Sequence, residues 1–85
     1  MQQYLVLCRS LTYAQRSAHM LERLGITATV TKAPKGMTTR GCAHCVKVSE
    51  RNLDRALYEL KSSGLGCDRT FRKEPSGEYS EVRDL

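Results

Sequence analysis

The chain has 85 residues, enough for one small domain that buries about 60% of the surface of its unfolded chain. Its 14 Lys and Arg residues exceed its 9 Asp and Glu residues, and the resulting net charge of +5 suits an anionic partner. The single Phe and the lack of an aromatic run typical of RNA-binding strands argue against a nucleic-acid partner. No apolar run reaches the roughly 18 residues that span a bilayer, so we expect a cytoplasmic protein without a membrane anchor.

The first part of the chain predicts a strand, a helix and a second strand. Residues 4–8 form an apolar run typical of a strand. Thr12 with Gln15 forms a capping-box pattern that opens a helix, and Gly25 ends that helix. Residues 26–31 alternate between apolar side chains and threonines, as in a strand with one face in water. The apolar side chains of the helix recur at helical spacing and are Leu11, Ala14, Ala18, Leu21 and Leu24.

The second part of the chain predicts a strand, a helix and a final short strand. A loop over residues 33–41 precedes the alternating residues 46–48, which indicate a third strand. Ser49 is a suitable cap for a second helix that ends at residues 63–64, and a fourth strand is expected around residues 67–72. The apolar side chains of the second helix are Leu53, Ala56, Leu57 and Leu60.

This order of elements predicts an α+β fold of the ferredoxin-like type. The order βαββαβ gives a four-stranded antiparallel sheet with two helices on one face. We expect this single domain to cover residues 1–73. Residues 74–85 are mostly polar and contain Pro75 and Gly77, so they are expected to form a C-terminal tail that adds little packing.

The predicted topology brings cysteines together at one end of the sheet. Cys8 ends the first strand, Cys42 opens the third and Cys67 precedes or opens the fourth. A thiol with the usual pKa of about 8.5 is mostly protonated near neutral pH, so a reactive cysteine needs positive charge nearby. The residues at this end that supply charge, hydrogen bonds or a permissive backbone are Arg9, Ser10, Lys32, Lys35, Arg40 and Gly41.

Cys42 and Cys45 share the Cys-x-x-Cys spacing of dithiol redox sites and of metal sites. A reducing compartment favours such uses over structural disulfides. The two sulfurs converge only if the chain turns between residues 42 and 44; otherwise Cys45 is a strand residue and Cys42 a lone thiol at the rim. We hypothesise that the pKa of Cys42 is depressed by about one unit or more, with Cys45 as a resolving thiol or a buried side chain. His44 is a proton donor, a metal ligand or a surface histidine.

Several short segments are shared with a known family. They are residues 4–14, the Leu-Gly-Ile turn at 24–26, the loop with Pro34, and Gly41-Cys42 ahead of a Val-x-Val strand. On these segments the chain resembles a small bacterial domain, the putative selenium/sulfur carrier protein-like family, over most of residues 3–72.

The resemblance implies a cysteine, here Cys42, that carries sulfur or selenium as a persulfide or selenosulfide. It also implies a donor such as a cysteine desulfurase, an acceptor enzyme, and a role as carrier rather than turnover enzyme, with no cofactor besides the carried atom. Family members usually have Gly directly after this cysteine, whereas the present chain has Ala43 and adds Cys45.

Two other functions remain open from the sequence. Cys42 and Cys45, with Cys8 or Cys67, would suit a soft metal such as Cu(I) or Zn, because Gly36-Met37-Thr38 ahead of the cysteine pair is similar to the loop of heavy-metal-associated domains. In that family the loop follows the first strand, whereas here a β-α-β unit precedes it.

The third possibility is a dimeric interaction domain without chemistry. The first strand is apolar on both faces, with Leu5 and Leu7 opposed to Tyr4 and Val6, so a homodimer partner would cover its second face.

Overall fold

The computed structural model describes residues 2–34, 44–65 and 69–82. The elements in chain order are β1 (Gln3–Cys8), α1 (Leu11–Arg23), β2 (Thr29–Lys32), β3 (His44–Ser49), α2 (Leu53–Ser62), β4 (Arg69–Lys73) and β5 (Tyr79–Val82). A 3-10 turn over Glu50–Asn52 leads into α2.

The strands form one antiparallel sheet in the order β2-β3-β1-β4-β5. The predicted α+β class, with two helices and an antiparallel sheet, is confirmed. The prediction of four strands is wrong because the sheet has five, and the ferredoxin-like assignment stays a prediction. In this order β1 lies at the centre of the sheet, between β3 and β4.

The fifth strand lies in the segment that was expected to be a polar tail. The chain reverses between β4 and β5 at a turn in which the Gly77 N–H donates to the Glu74 carbonyl at 2.9 Å, and Gly77 has φ +93°. Tyr79 and Val82 then pack against opposite faces of the sheet. The polar composition of residues 74–85 did not predict this strand. Its pairing with β4 uses backbone N–H and C=O groups, which are present whatever the side chains are.

Helix α1 begins two residues earlier than the capping pattern predicted. Ser10 has an extended backbone, with φ −156° and ψ 170°, and its Oγ accepts from the Tyr13 N–H at 3.3 Å. The cap is therefore Ser10 rather than Thr12.

The end of α1 follows the prediction. Gly25 adopts φ +82° and donates its N–H to the Glu22 carbonyl, while the Ile26 N–H donates to the Leu21 carbonyl at 2.9 Å. This pair of hydrogen bonds is a Schellman motif, and it turns the buried side chain of Ile26 back into the core.

Helix α2 is entered through the 3-10 turn rather than directly from a capped residue. The Ser49 hydroxyl accepts from the Asn52 side-chain amide at 3.3 Å and makes no capping bond to the backbone. The helix ends at Ser62, and the predicted stop at residues 63–64 follows directly, with Ser63 as the C-cap and Gly64 at φ +78°.

Both helices pack on the same face of the sheet. This helix-side cluster contains Tyr4, Val6 and Cys8 of β1, together with buried residues of both helices. All four predicted apolar residues of α2 are buried, and in α1 Ala14, Ala18 and Leu21 are buried. Leu11 and Leu24, also predicted for the core, are exposed by 43% and 36%.

The opposite face carries a smaller outer cluster of three buried residues, Leu5, Cys45 and Phe71. Ala33, just after β2, and Tyr79 of β5 pack against it. Leu5 and Phe71 are only 3% and 5% exposed. The chain itself therefore covers Leu5 without a dimer partner, and the homodimer stays a prediction.

Candidate functional site

The end of the sheet where β1 finishes and β3 starts brings together several predicted site residues. Cys8, the last residue of β1, lies opposite His44, the first residue of β3, and His44 lies opposite Lys32, the last residue of β2. Ser10 begins α1 at this end. We call Cys8, Arg9, Ser10, Lys32 and His44 the α1 rim. Antiparallel pairing creates it, because alternate strands start where their neighbours stop.

Arg9 and Ser10 were predicted to bind substrate, and both lie where α1 begins. Ser10 uses an oxygen lone pair to cap the helix, which leaves its hydroxyl proton available to donate to another group. The Arg9 guanidinium lies over the Tyr13 ring, 5.8 Å from its centroid, in a cation–π contact. That contact holds the Arg9 charge at the helix start while its side chain remains exposed.

The positive end of α1 adds to the charge of the rim. Its first turn consists of Leu11, Thr12, Tyr13 and Ala14, so it contains no carboxylate that would offset the helix dipole. Such a dipole is worth about 0.3–1 kcal/mol to a nearby anion, so the side-chain charges of Arg9 and Lys32 matter at least as much.

Arg69, which opens β4 opposite Leu7, is a further basic residue close to this end that the sequence reasoning missed. Its guanidinium donates to both carboxylate oxygens of Glu81 at 3.0 Å and lies 4.9 Å from the centroid of the Phe71 ring. The hydrogen bond to Glu81 raises the pKa of Arg69. The ion pair with Glu81 offsets the charge of Arg69 and so reduces its contribution to the positive potential of this end. Its place within the predicted fourth strand, around residues 67–72, was the available sequence signal.

The thiol of Cys8 is part of the helix-side cluster. Cys8 is 5% exposed, and its Sγ lies 3.6 Å from the Val6 carbonyl oxygen. Its neighbour across the strands, His44, is half-buried. Cys8 is thus the buried member of the α1 rim, and its thiol does not contribute to the solvent-exposed surface there.

Cys45 faces the other side of the sheet. It is fully buried at 0% exposure, in the outer cluster with Leu5 and Phe71. Successive residues of a strand point to opposite faces, so Cys45 and His44 project in opposite directions. Cys8 and Cys45 consequently lie on different faces, and a single metal ion would contact at most one of them. Cys45 is thus a strand residue of β3, whereas Cys42, the other half of the predicted pair, lies outside the described residues.

Other predicted site residues lie outside the described residues: Lys35, Arg40, Gly41, Cys42 and Cys67. Their described neighbours in the chain are Pro34, His44, Leu65 and Arg69. Within the described part of the chain, no group of three or more His, Cys, Asp or Glu side chains is arranged to hold a metal ion. The described helices are too short or too polar to cross a membrane.

Comparison with known proteins gave one family match. The family model described as putative Se/S carrier protein-like matches residues 3–72. This range runs from the start of β1 to the penultimate residue of β4 and leaves β5 outside. Neither the curated proteins nor the solved structures gave a match.

Proposed function

Because this chain belongs to the putative Se/S carrier protein-like family, we propose that it carries sulfur or selenium covalently on a cysteine and delivers that atom to an acceptor enzyme. The family match over residues 3–72 is the observation that carries this proposal. We assign the carrier role to Cys42, the residue that the family resemblance implies. The donor is a protein persulfide of the kind formed by a cysteine desulfurase, or the corresponding selenium donor.

Burial supports the choice of Cys42 over the two described cysteines. Cys8 and Cys45 are 5% and 0% exposed, so neither offers its sulfur to a bulky donor without local opening of the sheet. Cys45 remains our candidate for a second, resolving thiol, and that role would require such an opening.

The α1 rim supports thiolate chemistry at the residues just before β3. Cys42 precedes His44 by two residues, and His44 lies beside Lys32 and Cys8 in the sheet. A thiol with the ordinary pKa of about 8.5 is less than a tenth ionised near neutral pH. The charges of Arg9 and Lys32, added to the helix dipole, favour the anionic form of a sulfur placed near them. They also favour an anionic persulfide or selenosulfide on that sulfur.

The proposed transfer needs no external oxidant. The Cys42 thiolate attacks the terminal sulfur of the donor persulfide, so a new sulfur–sulfur bond forms on Cys42 as the donor's own sulfur–sulfur bond breaks. The donor cysteine leaves as a thiolate and takes up a proton. Delivery repeats the step with an acceptor thiolate as nucleophile and Cys42 as leaving group. Transfer of selenium proceeds by the same exchange, in which one selenium–sulfur bond forms as another breaks, and it likewise needs no oxidant.

The test is intact mass spectrometry, without reductant, after incubation with a persulfide-loaded cysteine desulfurase. The native chain should gain the mass of one sulfur, and Cys42→Ser should not. Cys67→Ser, the matched control, should keep most of the loading, and circular dichroism should show both variants folded. Equal loading of Cys42→Ser and the native chain would reject the assignment. A mass gain of one Cu or Zn ion, lost in both Cys42→Ser and Cys45→Ser, would favour the metal-binding alternative instead.

A further inference from the structure

A shallow groove runs along the outer side of α1, away from the α1 rim. It has a volume of about 350 Å³ and is lined by Arg16, His19, Met20, Arg23 and Leu24. None of these residues has a role in the proposed carrier chemistry. The groove therefore needs its own explanation.

The lining residues share one stripe of the helix. They follow the spacing i, i+3, i+4, i+7 and i+8, which places side chains on the same side of an α-helix. The residues of α1 that face the sheet are instead Ala14, Ser17, Ala18 and Leu21. The groove thus uses the side of α1 that the core leaves available.

The groove combines an apolar floor with a basic border. Met20 packs partly against the helix-side cluster, and Leu24 is 36% exposed. Arg16, His19 and Arg23 are exposed around them. A floor of two aliphatic side chains offers contact area to an apolar group, and the two guanidinium groups suit carboxylates.

The charges of this border are not offset by ion pairs with described residues. The ion pairs found within residues 2–34, 44–65 and 69–82 join Arg69 to Glu81 and Arg72 to Glu74. Glu22, the one carboxylate on α1, does not line the groove. A partner of opposite charge would therefore gain both pairings without displacing an ion pair between described residues.

We propose that this groove docks an acidic amphipathic segment of a partner protein. Two carboxylates of the segment pair with Arg16 and Arg23, and an apolar side chain between them rests on Met20 and Leu24. The lining has no Phe, Tyr or Trp for base stacking, and its floor of Met20 and Leu24 suits an apolar side chain better than a base or a phosphate. A second copy presenting the same groove would place arginines against arginines, which disfavours a symmetric dimer through this surface. This inference does not rest on the carrier function.

A synthetic acidic helix provides the probe. The peptide presents two Glu side chains at the spacing of Arg16 and Arg23, with Leu and Met between them, and is titrated into the isotope-labelled protein. The largest amide shifts should fall on α1 around Met20 and Leu24. Affinity should fall as ionic strength rises from about 0.05 M to about 0.5 M.

Two double charge reversals, one in the groove and one elsewhere, distinguish specific binding at the groove from nonspecific attraction of an acidic peptide to a basic protein. Arg16→Glu with Arg23→Glu should weaken peptide binding about tenfold or more, since two attractive pairs become repulsive. Arg51→Glu with Arg55→Glu changes the net charge equally, on the exposed side of the α2 segment, and should weaken binding less than about threefold. Leu24→Gln tests the apolar floor separately and should also weaken binding.

Three results would overturn the proposal. One is equal weakening by the two charge-reversed pairs. Another is equal affinity for a Glu-containing peptide in which Ser replaces the Leu and Met. The third is tighter binding of a single-stranded RNA oligonucleotide to the same α1 residues, which would identify a nucleic-acid surface. A well-dispersed amide spectrum for each variant shows that the fold is retained.

Discussion

Cys8 and His44 lie directly opposite each other on β1 and β3, and Lys32 lies on the other side of His44 in the same row of the sheet. This row joins a buried thiol, a half-buried imidazole and an exposed ammonium group at the start of α1. The chain enters β3 at His44, two residues after Cys42. The thiol of this row is buried in the helix-side cluster, so the row offers solvent its imidazole and its ammonium group rather than its sulfur.

The first prediction concerns the reactivity of the two buried thiols. Cys8 and Cys45 should react with iodoacetamide about a hundredfold more slowly in the native protein than in urea, because alkylation has to wait for local opening. Peptide mapping by mass spectrometry after timed quenching measures each site. The same cysteines in the unfolded chain serve as the control, and equal rates in both states would contradict their burial.

The second prediction concerns the end of α1. Gly25→Ala should reduce the free energy of unfolding by about 1 kcal/mol, because Gly25 has φ +82° and an L-residue with a Cβ is strained there. A Cβ at this position would meet no atom within 4 Å, so the cost comes from the backbone alone. Gly25→Asn should lose less, since Asn tolerates this conformation better. Urea denaturation of the three proteins gives the comparison, and an unchanged midpoint for Gly25→Ala would contradict the argument.

The third prediction concerns the pH dependence contributed by Glu74. A hydrogen bond with Ser80, followed by one from Arg72 at 3.1 Å, lowers the pKa of Glu74 from its ordinary value of 4.5. A lowered native pKa means that the unfolded chain binds more protons than the native protein between the two pKa values. The stabilisation is therefore complete above the unfolded pKa and is lost as pH falls through the native one.

Glu74→Gln should accordingly be less stable than the native chain at about pH 7, and this difference should shrink on acidification below about pH 4. Urea denaturation at several pH values measures it. Glu78→Gln is the matched control, because Glu78 lies in the same hairpin with an exposed side chain. A Glu74→Gln difference that grows on acidification would contradict the assigned direction.

The fourth prediction tests the contribution of β5. A chain that stops after Lys73 should lose on the order of 2 kcal/mol of stability, because Tyr79 and Val82 each pack against a core cluster. The truncation also exposes the β4 edge, so concentration-dependent association should appear in light scattering. A chain that stops after Val82 keeps all of β5 and is the control. Equal urea midpoints for the two chains would contradict this contribution of β5 and support the predicted domain boundary at residue 73.

The sequence by itself determined the elements whose signals are local. Gly25 and Gly64 end their helices because only glycine readily adopts the positive φ that closes a helix with these hydrogen bonds. The predicted apolar side of α2 is buried in the structure, since helical spacing alone puts its residues on one side. The apolar run of residues 4–8 likewise predicted a first strand that ends at Cys8.

Only the tertiary structure decided those features for which the local sequence signals were equally strong or absent. Ser10 and Thr12 are both good caps, and the end of β1 at Cys8 selects Ser10. Cys45 could have been an exposed thiol or a buried strand residue, and its pairing opposite Leu7 buries it. β5 forms by pairing with the free edge of β4, and the sequence of residues 79–82 does not by itself indicate that this edge is available. Strand pairing joins residues distant in the chain, and neither spacing nor composition encodes which backbone will be available to pair.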